Sequence, residues 1–594
     1  MRSSDTVLGM LQDRGKRGKP VEDLYRQLYN PMLYLRTYGR IYANDGAMTP
    51  GSTPETADAM STTKIERIID DLRHERYRWT PVRRKEVPKK NGKMRQLGLP
   101  TWSDKLLQEV IRSLLQAYYE PQFSDHSHGF RPYRGCHTAL SQIQHTWKGV
   151  HWFIEGDIKA CFDQLDHTIL LAILAENIHD PRFLRLIKHL LQAGYLEVWR
   201  YHPTLSGAPQ GGIVSPILSN IYLSKLDHFM HTHLIPRFTR GKVRKHNPVY
   251  QHFIRKSATA RQHGDRHQAL AYLRTAQQHP TKDPSDSAYR RLLYIRYADD
   301  MLLGFAGPRA EAEQIKRELG HYLHDHLKLE LSQEKTLITH AHRQAARFLG
   351  YDIQAQYCNE KLSADGRRRV NAHIALRVPR DVIKKKQALY QRGGKPLRRH
   401  SLASRSDYTI LKTYQEEYRG LVQYYQFAVN VSWLHSYHWT VQQSLVHTLA
   451  AKYHSSTRKM VKRFQTSIET PFGPMKGLEA KQLRKGGKPP LVARFGGIPL
   501  RRKTQAILVD HSHSIIPYEQ KEVIRRLMAG TCELCQIKDD QCVVHQIRKL
   551  EDLRKSGKDQ PPWAQMMLKR RRKTLIVCQF CHAAIHREQS RQND

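Results

Sequence analysis

A chain of 594 residues is long enough for several domains, and its 98 Lys+Arg against 55 Asp+Glu leave a formal net charge of +43. Such an excess resists compaction unless a polyanion neutralises it, and nucleic acid is the natural partner, because Lys and Arg displace counterions condensed on phosphates. The sequence has no run of about 18 apolar residues and no apolar signal-peptide core, so neither a membrane span nor a secretory leader is expected.

The elements follow in chain order. Residues 42–62 are rich in Gly, Pro, Ser and Thr and predict a loop. Helical periodicity begins at Ile65 and runs to His74. Residues 81–100 alternate basic and apolar around Asn91-Gly92, a hairpin signal, and 104–120 are again helical. Two short apolar strands each end in acid: 153–157 (FIEGD) and 294–300 (YIRYADD). Residues 230–290 are basic and polar and have the character of an insertion; 405–464 look helical; 465–505, rich in Gly, Pro and Lys, predict a linker. The fold class is therefore mixed α+β. Of eight cysteines, Cys136, Cys161 and Cys358 are scattered, while Cys532, Cys535, Cys542, Cys578 and Cys581 crowd the end. That clustering suits a metal site in a reducing cytoplasm rather than a disulfide framework.

The strongest chemical signal is Asp299-Asp300 between the apolar runs Leu292–Ile295 and Met301–Phe305. Such a hairpin presents carboxylates at its tip, and adjacent carboxylates repel unless a cation lies between them. Asp157 ends the other strand. Two Mg²⁺ ions held by Asp157 and Asp299 can activate a primer 3′-hydroxyl and stabilise departing pyrophosphate.

Tyr297-Ala298-Asp299-Asp300 resembles the YADD box of group II intron reverse transcriptases. Residues 157–163 (DIKACFD) resemble the first palm motif of that family, and 128–132 (HGFRP) the region before it. Residues 207–220 (GAPQGGIVSPILSN), 331–338 (LSQEKTLI) and 347–351 (RFLGY) resemble later blocks, in family order. Asn44-Asp45-Gly46 and Thr49-Pro50-Gly51 resemble an N-terminal extension motif, and the 230–290 insertion resembles the chloroplast-like lineage. Residues 418–428 and 449–464 are similar to the maturase or thumb domain, and 494–500 (RFGGIPL) to a junction before a DNA-binding segment.

The resemblance implies a right-hand polymerase: fingers and palm over 1–360, thumb over 361–465, linker and DNA-binding segment over 466–525, and a C-terminal module over 526–594. It places Asp157, Asp299 and Asp300 on the catalytic carboxylates, with Asp157 and Asp299 as the Mg²⁺ ligands. Phe162 falls on a gate against the ribose 2′-hydroxyl. Gln210 and Gly211 fall beside the incoming nucleotide, and Arg83, Lys89 and Arg95 where the fingers hairpin meets triphosphate. Lys335, Phe348, Leu349 and Gly350 fall near the primer, and Arg419 and Lys452 on thumb surface that contacts RNA.

Cys532-x-x-Cys535 and Cys578-x-x-Cys581 form two knuckles 42 residues apart, best read as a four-thiolate Zn²⁺ site. This end resembles the HNH endonuclease module of intron-encoded proteins, which implies metal-holding roles for His545, His582 and His586. The family typically has two adjacent histidines where this chain has His545-Gln546, and no Asn lies between Val431 and Gln592 to match its middle Asn. A Gln amide cannot take a proton from water, so weak DNA cleavage is expected. The function implied is RNA-directed DNA synthesis joined to splicing of a parent intron and its retrohoming. The partners implied are intron RNA, target DNA and deoxynucleoside triphosphates, in a ribonucleoprotein of the bacterial cytoplasm. The alternatives are a splicing factor that keeps the fold without polymerising, and the reverse transcriptase of a non-intron element.

Overall fold

The computed structural model describes residues 2–88, 92, 94–197, 200–202, 204, 206–207, 211–283, 285–332, 334–358, 373–484, 489–505, 521–553 and 560–593. Near its centre lies the helix Trp102–Tyr119. Thr101 caps it, its hydroxyl accepting from Asp104 N at 3.3 Å. Leu106, Leu107, Val110, Ile111, Leu114 and Leu115 are all fully buried, at the spacing of a helix packed on more than one side. Truncating one of them to Ala costs about 2–5 kcal/mol.

The predicted hairpin forms: β1 (Val82–Pro88) pairs antiparallel with β2 (Met94–Leu99), with Arg83 opposite Leu99 and Val87 opposite Arg95. Gly92, at φ +80°, supplies the left-handed backbone between them. With β4 (Tyr195–Glu197) and β5 (Arg200–His202) they make a sheet of order β2-β1-β4-β5.

The palm sheet has order β6-β7-β3-β8, from β3 (Trp152–Asp157), β6 (Arg291–Tyr297), β7 (Asp300–Ala306) and β8 (Ile338–His340). All its pairings are antiparallel. Alternation along β7 divides the molecule's two cores. Met301, Leu303 and Phe305 belong to the core shared with the N-terminal helices, whereas Leu302 faces the thumb side with Phe153 and Ile295. Burial on both faces explains why β7 reads as a continuous apolar run. The 230–290 segment contributes a helical hairpin, Pro248–Gln262 against Arg266–Gln277.

The thumb side begins with a sheet of β9 (Ala346–Phe348), β10 (Tyr351–Ala355) and β11 (Ile374–Arg377), followed by the short ladder β12 (Gln391–Arg392) with β13 (Lys395–Pro396). The helices Asp407–Tyr424, Leu434–Lys452 and Thr457–Phe464 lie in the stretch expected to be helical. The linker expected from 465 onward is corrected. An antiparallel sheet of β14 (Gln465–Ile468), β15 (Met475–Gln482) and β16 (Leu491–Gly496) packs on the helix Asp407–Tyr424. Alternate residues Leu478, Ala480, Ala493 and Phe495 are buried there.

The C-terminal module is a ββα unit: β17 (Val543–Gln546) antiparallel to β18 (Thr574–Val577), then the helix Gln579–Asn593. It does not stand apart. Its Val544 and Ile576, with Val523 and Ile524 of the helix Glu522–Met528 that leads into it, join the same continuous core as the N-terminal helices. A Cβ on Gly39 of the helix Pro31–Ile41 would lie 2.8 Å from Ile524 Cδ1, so glycine permits this approach. Lys521 Nζ donates to Gly39 O at 2.5 Å.

Candidate active site and metal groups

Asp157 ends β3 and faces Asp300, the first residue of β7, across the ladder. Asp299 lies in the turn between β6 and β7, where Ala298 takes the left-handed φ of +56°. That conformation is costly for a residue with a Cβ and needs support from its surroundings. Arg296, fully buried, donates to Ala298 O at 2.8 Å and to Asn220 Oδ1 at 3.2 Å. It also grips both carboxylate oxygens of Asp227, at 2.9 and 2.6 Å. Tyr294 donates its hydroxyl to the same carboxylate at 2.8 Å. Asn220 donates to Gly129 O at 2.9 Å, and a Cβ on Gly129 would meet Ala298 N at 2.3 Å. Three motifs far apart in sequence, HGF, SPILSN and YADD, thus close on one turn.

The carboxylates open into a cleft of about 970 Å³ that Arg95, Phe130, Phe162, Gly211 and Lys335 also line. Burial, together with the charges of Asp299 and Asp157, pushes the Asp300 carboxyl up to about 7. Burial and Asp157 raise Asp299 as well, against the pull of Lys335 and Arg95. The site therefore concentrates negative charge that a cation relieves. Lys335 Nζ supplies part of that relief, at 2.7 Å from Asp157 Oδ2. The oxygen-rich donor set and open cleft fit Mg²⁺, which keeps waters and substrate phosphates among its ligands.

Other predicted residues are distributed as follows. Phe162 is half-buried at the cleft wall, edge-on to Phe130 with centroids 6.4 Å apart. Gly211 has φ +104°, and a Cβ there would lie 2.6 Å from Gly98 O. Lys89 and Gln210 lie outside the described residues. Arg83 is corrected: its guanidinium donates to Pro50 O at 2.8 Å and lines a second cleft with Tyr42, Arg526 and Gln546. It does not line the cleft of the carboxylates. Phe348 is 4% exposed in the thumb-side core, so its ring offers little surface for the primer contact that the resemblance implies. Leu349 (φ +47°) and Gly350 (φ +75°) form the β9–β10 turn. Tyr424 and Tyr425 clamp it, donating to Leu349 O at 2.6 Å and Gly350 O at 2.9 Å. Arg419 lines a groove with Arg494. Lys452 is drawn inward, donating to Asp407 Oδ1 and Arg405 O, each at 2.7 Å, so part of its charge is neutralised within the thumb.

In the C-terminal module the Sγ atoms of Cys532, Cys535, Cys578 and Cys581 all lie within 4.8 Å of one another. The amides of Cys535 and Cys581 point at Cys532 and Cys578 sulfurs, 3.5 Å away. Four soft donors in this arrangement can hold a metal ion. Cys542 is outside the group, and burial pushes its thiol up to about 11. His545 on β17 and His582 and His586 on the last helix form a second group, separate from the cysteines. Its fourth member is Asp58, from the N-terminal loop, which no local sequence signal marks.

Residues 87–353 match the model for reverse transcriptases (RNA-dependent DNA polymerases), 373–488 that for type II intron maturases, and 532–582 that for AI2M/AI1M-like HNH endonucleases. The group II intron-encoded protein LtrA of Lactococcus lactis subsp. cremoris is 36% identical over 581 residues, 94% of each chain. The chain is a group II intron-encoded protein. A putative COX1/OXI3 intron 1 protein of Saccharomyces cerevisiae is 34% identical over 73% of this chain and 54% of its own. An uncharacterized 91 kDa protein in a cob intron of Schizosaccharomyces pombe is 31% identical over 98% of this chain and 73% of its own. As a group II intron-encoded protein, this chain is an RNA-directed DNA polymerase that carries maturase and HNH endonuclease domains. Among the described residues, no helix is long and apolar enough to cross a membrane.

Proposed function

We propose that this protein copies its parent intron RNA into DNA at a target site, uses deoxynucleoside triphosphates to do so, and helps that intron to splice. The observation that carries this reading is the convergence of Asp157, Asp299 and Asp300 in one cleft with Phe162, Arg95 and Gly211. Asp157 and Asp299 would hold two Mg²⁺ ions, with Asp300 opposite Asp157 across the β3–β7 ladder. When bound, those ions lower the pKa of the primer 3′-hydroxyl and balance charge on the leaving pyrophosphate. Lys335, 2.7 Å from Asp157 Oδ2 on the cleft wall, offers an ammonium to substrate phosphate. Arg95, near the tip of the hairpin and on the cleft wall, binds triphosphate, as guanidinium groups do. Gly211 lets backbone approach the nucleotide where a Cβ has no room. Phe162 closes on the sugar, supported by Phe130.

The thumb and the basic surface, Arg419 included, bind RNA, and the charge of +43 drives that association. The four cysteines hold Zn²⁺. Polymerase over 1–360, a thumb extended to about 496, and a C-terminal HNH-like module form the working parts, in a ribonucleoprotein of the bacterial cytoplasm. The test is primer extension on an RNA template. Asp299→Asn is expected to lower it by about 10³-fold or more, about 4 kcal/mol of lost transition-state stabilisation. Extension by that variant at near wild-type rate defeats the assignment.

A further inference from the structure

The group formed by Asp58, His545, His582 and His586 is built across a junction between the two ends of the chain. Asp58 belongs to the loop before the helix Thr62–Arg73. Its Oδ1 is 3.3 Å from His545 Nδ1, and its Oδ2 is 3.3 Å from His582 Nε2 and 2.8 Å from His586 Nε2. The last two ring nitrogens are 3.3 Å apart. Tetrahedral zinc with bonds of about 2.0–2.1 Å sets neighbouring ligand atoms roughly 3.3 Å apart. His545 is 1% exposed; the Asp58 carboxylate is the one polar group its Nδ1 meets, and its Nε2 makes no hydrogen bond. A buried ring nitrogen left unpaired is unfavourable unless a ligand takes its lone pair. His545 is aimed into the group.

The backbone around the group is fixed as well. Ala59 N donates to Val544 O at 3.0 Å, and Val544 N to Met60 O at 2.8 Å, so the loop adds a bridge to β17. Gln546 N donates to Asp58 Oδ1 at 2.7 Å, and its side-chain amide to Tyr42 O at 2.7 Å. The residue that resembles a lost general base is therefore a docking contact.

We propose that Asp58 completes a four-ligand site for a divalent transition metal with His545, His582 and His586, and that this ion clasps the C-terminal module to the N-terminal part of the polymerase. One Asp and three His suit Zn²⁺ or a similar borderline ion rather than Mg²⁺. A catalytic zinc site keeps a position open for water or substrate; four protein ligands leave none. In the docked arrangement this is a structural site, and cutting requires Asp58 to withdraw. The proposal rests on the metal-binding reading of the module but not on the polymerase assignments.

The experiment titrates full-length apoprotein with Co²⁺. Thiolate-to-cobalt charge-transfer absorption reports the four cysteines, and the ligand-field bands of a nitrogen/oxygen site report the second group. Wild type is expected to bind two ions per chain. Asp58→Ala is expected to keep the thiolate band and weaken the second ion by at least about 10–100-fold, the loss already seen when a group that only supports a ligand is removed. Because a variant can misfold, wild type is also followed by amide exchange, with and without a chelator. Protection at Ala59 and Val544 is expected to fall at least 10-fold when metal is removed, while that of the Trp102–Tyr119 helix holds. Two equally tight ions in a folded Asp58→Ala, absence of the nitrogen/oxygen bands in wild type, or protection indifferent to metal each overturn the clasp. Absence of the thiolate band alone counts instead against the four-cysteine zinc assignment.

Discussion

Arg296 and Asp227 form an ion pair at 2.6 Å with side-chain exposures of 0% and 3%. Through it the helix Ser215–Phe229 fixes the turn that carries Asp299. Removing one member of a buried pair strands the other charge and costs about 3–5 kcal/mol. Asp227→Ala is therefore expected to lower stability by that amount and to lower primer extension, although Asp227 touches no substrate. Thermal unfolding checks the first effect. A double variant, Asp227→Leu with Arg296→Met, is expected to regain much of the stability but not the activity, because Ala298 O loses its donor. Full activity in the double variant would show that the turn holds itself.

Phe162 at the cleft wall predicts a selectivity change. Phe162→Ala is expected to reduce discrimination against ribonucleotides by about 10–100-fold, matching 1–3 kcal/mol for a missing apolar contact in a pocket. Deoxynucleotide KM changes less. Phe130→Ala, which removes the ring that braces Phe162, gives a smaller shift in the same direction. Competition between the two nucleotide classes measures this, and an unchanged ratio in both variants assigns Phe162 to packing.

His128 in the HGF turn lies between Thr138 Oγ1 at 2.8 Å and Gln142 Oε1 at 2.7 Å. Burial, with the positive charges of Arg134 and Arg131, holds its pKa down at about 4 against an ordinary 6.5, although the Gln142 hydrogen bond opposes the shift. Between those values the unfolded chain binds the proton and the folded one does not. Stability from this residue is thus complete above pH 6.5 and is lost as pH falls toward 4, by up to about 1.4 kcal/mol per pH unit. Denaturant unfolding across that window, compared with His128→Gln, should show a flatter profile in the variant. Parallel profiles rule His128 out as the source.

RNA affinity should depend on the basic surface rather than on the metal site. Between 50 and 200 mM salt, intron RNA binding is expected to fall by about 10³-fold or more, as for a protein making six or more phosphate contacts. Asp299→Asn should show the same slope and still support splicing. Splicing lost together with polymerisation, in a folded variant, breaks this separation.

The palm was legible because its signals are local. Strands β3, β6 and β7 announce themselves as apolar runs ending in acid, and the β1–β2 hairpin by Asn91-Gly92. The cysteine knuckles are legible for the same reason. The β14–β16 sheet was not, because its inward residues include two alanines and its turns carry Gly, Pro and Lys, which read as a linker. Arg83 misled because a basic hairpin offers many cations and register alone does not say which one a backbone carbonyl will hold. Asp58 had no signal at all. It meets Gln546 from 488 positions away in sequence, inside a segment whose composition predicts only a loop.

If Asp58 clasps the module, that contact controls DNA cleavage. Gln546 cannot accept a proton from water near neutral pH, and its amide is already committed to Tyr42 O. Restoring a base is worth about 10²–10⁴-fold where geometry allows it. Gln546→His alone is nevertheless expected to raise nicking little, because Asp58 keeps the ion four-coordinate. Asp58→Ala alone opens a coordination position but leaves no base. The two changes together should exceed the product of the single effects, since each removes a separate barrier to the same attack. Nicking of target DNA by the ribonucleoprotein, assayed over all four combinations with metal supplied, measures this coupling. Strong wild-type nicking that neither change alters would place the cutting chemistry elsewhere in the chain. Simple additivity would leave Gln546 as a missing base but remove Asp58 from any control over it.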